Sequence, residues 1–372
     1  MPFTILSNND IKSLLTSLSP SDLSSLTTTL QNSLTQYSCA SESQYQPHRS
    51  VVKRDDQTTL FMPATTPSFT GVKIVGISPP APASSAPKPG LQATLTICDA
   101  AGQAVGVLNA AEITAFRTAL GSMLLYTSRA RTENVVVFGA GAQAHWHIRL
   151  ALLLRGDEIR RIVVVNRSRV RAEELVEELR GMDGVVPPHV RLEVFDQGEG
   201  GAGEEALGDV VADADVVFTG VPSTSPVLKK EWFVGGKARA RGTGKYVAAI
   251  GSYRLDMQEI DPGLLEIVAD PEGEMREQVW DGKVVVDSAE GCLVEAGELV
   301  KAGIGKEGML EVGRLAVMRE SGSTALEGLE KWLRDGFVVY KSVGVGVMDI
   351  AIGSKLLELA GEKGLGARVE DF

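Results

Sequence analysis

The stretch Val135–Gln143, VVVFGAGAQ, constrains the fold of this chain more than any other. An apolar run ends on Gly139, Gly141 follows two positions on, and a helical stretch then begins. Gly139 permits a tight turn, and Gly141, with no Cβ, lets the backbone approach a pyrophosphate. Ala140 lies inside the turn. Ala142, Gln143 and Ala144 open a helix whose free N–H groups and partial positive charge suit phosphates. Ala144 replaces the third glycine of the common pattern and is small enough for helix–strand packing. A bare G-x-G is weak; a strand before it and a helix after it give it the meaning of a dinucleotide-binding turn.

The surrounding pattern agrees. Val135–Phe138, Ile162–Val165, Val190–Phe195, Val216–Thr219, Tyr246–Ile250, Ile267–Ala269 and Val284–Val286 read as short strands, and Gln143–Arg155 and Arg169–Gly181 as helices. Such alternation predicts a parallel sheet with helices on both faces. Upstream the period differs. Leucines and Ile11 at helical spacing predict two short helices, with Ser19-Pro20-Ser21-Asp22 as the cap of the second. Strands follow at His48–Lys53, Thr58–Met62, Gly71–Gly76, Gln92–Cys98 and Ala104–Leu108, interrupted by the proline-rich Ser78–Gly90 loop. Ala111–Ala130 reads as a long helix, Gln197–Gly208 as a surface loop, Phe337–Lys341 as a strand and Val347–Glu362 as a last helix.

The second strand of the parallel region ends Asn166-Arg167-Ser168. A site that prefers NAD usually ends that strand with a carboxylate, which bonds the ribose 2′-hydroxyl. Arg167 and Ser168 suit a 2′-phosphate instead. The expected cofactor is therefore NADP(H), with NAD(H) as the alternative.

A chain of 372 residues predicts two domains. No apolar run approaches the roughly 18 residues that span a bilayer, and the N-terminus MPFTILSNND has no secretory pattern, so the expected compartment is the cytoplasm. A net charge of −11 argues against nucleic acid as the main partner. Cys39, Cys98 and Cys292 lie far apart, as reduced thiols do, and His48, His145, His147 and His189 form no ligand cluster, so no metal is expected.

With these landmarks placed, the sequence resembles the ornithine cyclodeaminase/μ-crystallin family over nearly its whole length. The pieces that carry the resemblance include Arg49 after Pro47-His48, Phe61-Met62-Pro63-Ala64, Gly71–Val75 around Lys73, and Asp99 with Gly102. Ile113-Thr114, Arg117-Thr118-Ala119, Gly139–Ala144, Pro222-Ser223 with Pro226, Gly251 with Glu259, and Lys341–Gly344 with Asp349 complete them. The resemblance implies an α/β protein. A Rossmann domain, residues 120–320, would be inserted into a discontinuous α+β domain, residues 1–119 and 321–372, that binds substrate and dimerises. It also implies a homodimer with an intersubunit β-barrel, and a small amino or imino acid as substrate. Arg49 and Arg117 then match the clamp for the substrate carboxylate, a role that suits guanidinium. Lys73 matches the lysine beside the reacting nitrogen or carbonyl, and Lys73 and Arg117 are the expected catalytic residues. Met62 and Tyr253 are placed against the substrate. Thr114, Thr219, Val221, Ser252, Lys341 and Ser342 join the turn against the cofactor.

One departure directs the expected chemistry. Cyclodeaminase-type members carry an acid two residues after the glycine matching Gly251, and Tyr253 stands there. A phenol, with a reference pKa near ~10, is a poor general base at neutral pH. The stretch resembles the crystallin-like branch, which includes ketimine reductases. The leading expectation is an NAD(P)H-dependent reductase of a cyclic ketimine acid. The alternatives are an ornithine or lysine cyclodeaminase with bound NAD, an amino-acid dehydrogenase, and a non-enzymatic NADPH binder.

Overall fold

Serine caps start the chain's first two helices. Ser7 opens α1 (Asn8–Thr16) and Ser19 opens α2 (Pro20–Cys39), each in a reciprocal capping box with the aspartate three residues on. Pro20 occupies the first turn of α2, where its missing N–H costs nothing. In the computed structural model, residues 2–77, 91–195, 202–236, 244–320 and 326–372 are described, and the proline-rich Ser78–Gly90 stretch lies outside them.

The chain forms two units, residues 1–117 with 345–372 and residues 118–344. The first is built on a seven-stranded sheet. Its strands are β1 (Phe3–Leu6), β2 (Ser50–Arg54), β3 (Gln57–Thr65), β4 (Phe69–Ile77), β5 (Gln92–Asp99), β6 (Ala104–Asn109) and, from the C-terminus, β15 (Ala367–Val369). The order is β15-β1-β6-β5-β4-β3-β2, with β2 to β6 as an antiparallel meander. The C-terminal helix Gly346–Lys363 packs on β3, β4 and β5 and against α2. It lies close: a Cβ at Gly353 would stand 2.5 Å from Leu95 Cδ2, and one at Gly346 2.9 Å from Ala64 Cβ. Alternation along β4 sends buried Lys73 and Val75 to one face and Ile74 to the other.

The second unit is an eight-stranded parallel sheet. It comprises β7 (Asn134–Phe138), β8 (Arg161–Val165), β9 (Arg191–Val194), β10 (Val216–Thr219), β11 (Tyr246–Ala249), β12 (Val284–Val286), β13 (Met309–Glu311) and β14 (Val338–Lys341). The order is β13-β12-β14-β11-β10-β7-β8-β9. The inner strands are apolar runs buried on both faces, as a helix-covered parallel sheet requires. Chain order reverses between β7 and β10, and the crevice beyond the strand ends at such a reversal is where open α/β sheets bind ligands. This is the expected α/β class, a Rossmann-like parallel sheet whose chain interrupts that of the discontinuous first unit.

Several local expectations are corrected. Residues 321–344 belong to the second unit, and Phe337–Lys341, expected in the discontinuous domain, supplies β14 between β12 and β11. Ile267–Ala269 is not a strand; Pro262–Val268 is a helix, capped by the Asp261 side chain with proline in its first turn. The expected loop Gln197–Gly208 becomes, from Ala202 on, the helix Ala202–Asp213. The long helix α3 (Ala111–Tyr126) ends four residues earlier than its sequence suggests. Among the described residues no helix is long and apolar enough to cross a membrane.

Candidate active site

At the end of β7 the chain turns through Gly139, whose φ of +109° suits a residue without Cβ. The helix α4 (Ala142–Arg155) starts at Gly141, which is extended and offers no side-chain cap. The first N–H groups of α4, from Ala142 to Ala144, thus have no partner within the helix. A Cβ on Gly141 would meet no protein atom within 4 Å, so packing is not the reason for glycine there. An uncapped helix start beside an open glycine fits a pyrophosphate. Gln143 and Gly220 press together, with a Cβ at Gly220 3.0 Å from Gln143 Cβ, which brings the turn against the end of β10. The β8 end lies alongside, because Gly139 N–H donates to Val165 O at 2.8 Å. There Asn166 donates to Ser168 O at 2.8 Å, which folds its side chain into the bend. Ser168 precedes the helix α5 (Arg169–Gly181) without capping it. Arg167 is exposed, and no ion pair of it occurs among the described residues.

Behind these strand ends lies a buried polar network. One Glu259 carboxylate oxygen accepts from Thr219 Oγ at 2.6 Å and Val221 N–H at 2.7 Å. The other accepts from Gly251 N–H and Ser252 N–H. Burial pushes this carboxyl up to about 7 against the pull of Lys341. Ser252 Oγ donates to both Glu298 oxygens, at 2.6 and 2.7 Å. Lys341 Nζ donates to Ser252 O at 2.7 Å and stands 3.6 Å from Glu298. Ser342 Oγ donates to Asp287 at 2.6 Å, and Gly344 N–H to the same oxygen at 2.7 Å. Thr219, Val221, Ser252, Lys341 and Ser342, all expected to contact cofactor, thus have these polar groups committed to the protein. The three carboxylates that hold them carry no spacing signature in the sequence; Glu259 enters only as a piece of the resemblance.

The first unit gathers the other expected residues. Lys73 is central in β4, opposite Met62 of β3, and is 1% exposed. Its Nζ lies 2.7 Å from Asp349 Oδ2, in the first turn of the C-terminal helix, and 3.5 Å from Thr114 Oγ1 on α3. Arg117, one turn on from Thr114, donates from Nε to Asp349 Oδ1 at 3.0 Å, and its Nη1 lies 3.7 Å from Met348 Sδ. Burial lowers Lys73 to about 8; Asp349 opposes that shift, and Arg117 and then Arg49 add to it. Burial acts to raise the Asp349 carboxyl, but Arg117 and then Lys73 outweigh it and hold it below the usual range. Lys73, Arg117, Thr114 and Met62 are therefore neighbours, and Arg49 is near enough to bear on Lys73. Thr114, expected at the cofactor, sits in this cluster.

Tyr253 is half-buried in the second unit, with the Arg254 guanidinium 6.0 Å from its ring centre. Asp256, the nearest carboxylate downstream, is exposed and accepts from Arg254 through both oxygens, at 3.0 and 2.9 Å. Among the described residues no group of three or more His, Cys, Asp or Glu could hold a metal ion.

Comparison with known proteins adds to this geometry. Residues 9–363 match the ornithine cyclodeaminase/mu-crystallin family. An uncharacterized protein of Saccharomyces cerevisiae is 27% identical over 317 residues, covering 81% of this chain and 80% of that one. The Delta(1)-pyrroline-2-carboxylate reductase of Bacillus cereus is 24% identical over 326 residues, covering 85% and 86%. The structure of Thermococcus litoralis Delta(1)-pyrroline-2-carboxylate reductase, in complex with NADH and L-proline, superposes with a TM-score of 0.73 at 19% identity, covering 99% and 100%. At that identity the likeness is one of fold.

Proposed function

Because the chain belongs to the ornithine cyclodeaminase/mu-crystallin family, we propose that it is an NAD(P)H-dependent reductase of a cyclic ketimine carboxylic acid. The substrate is of the 1-pyrroline-2-carboxylate or 1-piperideine-2-carboxylate type, and the product is the cyclic amino acid. The observation that carries this reading is Lys73, a buried ammonium beside Arg117 with its pKa brought down to about 8. Such a group is charged at neutral pH yet gives up its proton readily. Arg117, through Nη2, and Arg49 hold the substrate carboxylate, Met62 bounds the ring, and Lys73 donates a proton to the imine nitrogen. The nicotinamide, when bound, supplies the hydride to the C=N carbon. Lys73 then takes a proton back from solvent, so the net change is one hydride and one proton added across C=N. Gly139–Gln143 hold the pyrophosphate, and Arg167 with Ser168, beside Asn166, favours the 2′-phosphate of NADP(H) over NAD(H). The Delta(1)-pyrroline-2-carboxylate reductase of Bacillus cereus, similar over most of both chains, supports this chemistry.

The deaminating alternative needs a general base. Tyr253 stands where cyclodeaminase-type members carry that base, and Asp256 is held at the surface by Arg254. The protein is also proposed to be a cytoplasmic homodimer.

Purified protein with NADPH and either cyclic imino acid should lose absorbance at the reduced-nicotinamide band. Its kcat/KM should fall as pH rises through about 8, where Lys73 loses its proton. Lys73→Ala should lower turnover by about a thousandfold or more with NADPH affinity unchanged. Ammonia release from ornithine with catalytic NAD, and no imine reduction, would refute the reading.

A further inference from the structure

The Lys73 cluster contains a residue to which the sequence assigned no role. Asp349 lies in the first turn of the C-terminal helix, 276 positions from Lys73 along the chain, and its carboxylate is 0% exposed. Its two oxygens are divided between two cations. Oδ2 lies 2.7 Å from Lys73 Nζ, and Oδ1 accepts from Arg117 Nε at 3.0 Å. Two buried cations side by side repel each other and are costly without an anion between them. The helix is brought down onto the sheet by glycines, since a Cβ at Gly346 would meet Ala64 Cβ at 2.9 Å and Pro63 O at 3.3 Å. This close seat is what lets an aspartate, with its short side chain, reach the middle of β4.

We propose that Asp349 is the positioning residue of this site: a single carboxylate tethers the Lys73 ammonium and the Nε of Arg117 at once, fixing where the lysine proton points and leaving Arg117 Nη2 for the substrate carboxylate. Lys73 and Arg117 touch substrate in this arrangement, and Asp349 acts through them. The proposal rests on the reductase reading for the roles of Lys73 and Arg117, but the tether itself does not. Among the described residues, the charged and polar groups around Lys73 are Asp349 from the C-terminal helix, Arg117 and Thr114 from α3, and Arg49 from the segment before β2. Asp349 is the one anion among them, so its removal leaves Lys73 with neighbours that all disfavour its charge or are neutral.

The test is Asp349→Asn, which keeps the shape and removes the charge. Lys73 is titrated in wild type and variant by NMR of the lysine side-chain nitrogens, without substrate, using Lys73→Arg to assign the signal. The Lys73 pKa should fall by about one unit or more in the variant. In the NADPH assay, the alkaline limb of kcat/KM should move down by the same amount, and KM for the imino acid should rise about tenfold or more as Arg117 loses its tether. NADPH affinity should stay within about twofold, because no residue of the glycine turn is altered. An unshifted lysine signal in a folded Asp349→Asn protein overturns the proposal. A shifted signal in a protein whose wild type reduces neither imine sinks the reductase reading and leaves the tether standing. If Asp349→Asn does not fold, Asp349→Glu carries the test. It keeps the charge on a longer arm, so the limb should stay near its wild-type pH while kcat/KM drops about tenfold or more. Wild-type kcat/KM in Asp349→Glu would show that the placement of the carboxylate does not matter.

Discussion

Single side chains govern how this protein responds to acid and, in the proposed reading, which nucleotide it selects. His147 on α4 is 2% exposed. Its Nδ1 faces Gln143 O at 2.8 Å, and a carbonyl only accepts, so Nδ1 carries the proton and Nε2 accepts from Ser122 Oγ at 2.9 Å. Burial lowers its pKa to about 4 from 6.5. The unfolded chain therefore binds a proton that the native state refuses, and stability falls as pH drops from 6.5 to about 4. Glu259 acts in the opposite sense. Its carboxyl is raised from 4.5 to about 7, so the native state holds the proton more tightly and stability is lost as pH rises through that window. Each contributes about 3 kcal/mol, and between pH 4.5 and 6.5 they nearly cancel. Urea unfolding over that range should thus be almost flat in wild type, rise toward acid in His147→Gln, and fall toward acid in Glu259→Gln. Two variants that keep the wild-type pH curve would contradict this. Arg167 is a simpler case. Arg167→Ala should weaken NADPH binding about tenfold or more and leave NADH unchanged; equal loss of both cofactors would mean the guanidinium does not read the 2′-phosphate.

At the scale of elements, local signals were legible and long-range ones were not. The glycine turn, the caps at Ser19 and the apolar runs of β7, β8 and β10 are each specified by adjacent residues, and they fold as their sequence indicates. The position of β14 in the middle of the parallel sheet is not encoded in any local pattern, because strand order is set by which buried surfaces meet. Strands β1, β13 and β15 are too short to show a period, with 4, 3 and 3 residues. Pro262–Val268 did carry a helix signal, Asp261 followed by proline, which the apolar Ile267-Val268-Ala269 run masked. The site divides in the same way. Lys73 and Arg117 were named through the family resemblance, whereas Asp349 and Glu298 meet their partners across 43 or more positions of chain, and Asp287, beyond its bond from Ser288 N–H, meets its own 55 or more positions away. The seat of the C-terminal helix gives a direct test of one such contact. Gly353→Val forces a branched side chain into the space held by Leu95 and Ile97, both 0% exposed. The overpacking should cost about 1–3 kcal/mol and, by lifting the helix that carries Asp349, lower kcat/KM as well. A variant with wild-type unfolding midpoint and activity would show that the seat is looser than its distances imply.

At the scale of the whole molecule, the sheet of the first unit has one face to be accounted for. Lys73, Val75, Met62 and Leu95 turn toward the C-terminal helix and are buried. Many of the alternate residues, which turn the other way, are also apolar, with Thr59, Thr94 and Thr96 set among them. Phe61 pairs with Ile74, Pro63 with Val72, and Val107 with Ile5. Phe61 and Ile74 are each 37% exposed, Ile5 42% and Val52 46%. A sheet face with water on it normally alternates to polar residues, and contiguous apolar patches of this kind mark association surfaces. A net charge of −11 makes copies of the chain repel one another at long range but does not cover that patch. A second copy of this chain, meeting it through the same face, is the partner that the family resemblance implies, and two such faces packed together resemble a domain core cut in half. Sedimentation velocity at micromolar concentration should therefore give a dimer. Phe61→Lys combined with Ile74→Glu, on facing strands and opposite in charge so that the sheet itself is kept, should shift the protein to monomer with its far-ultraviolet spectrum unchanged. A wild-type protein that sediments as a monomer at that concentration would remove the dimer from this account, and the apolar face of the β2–β6 meander would then need a different cover.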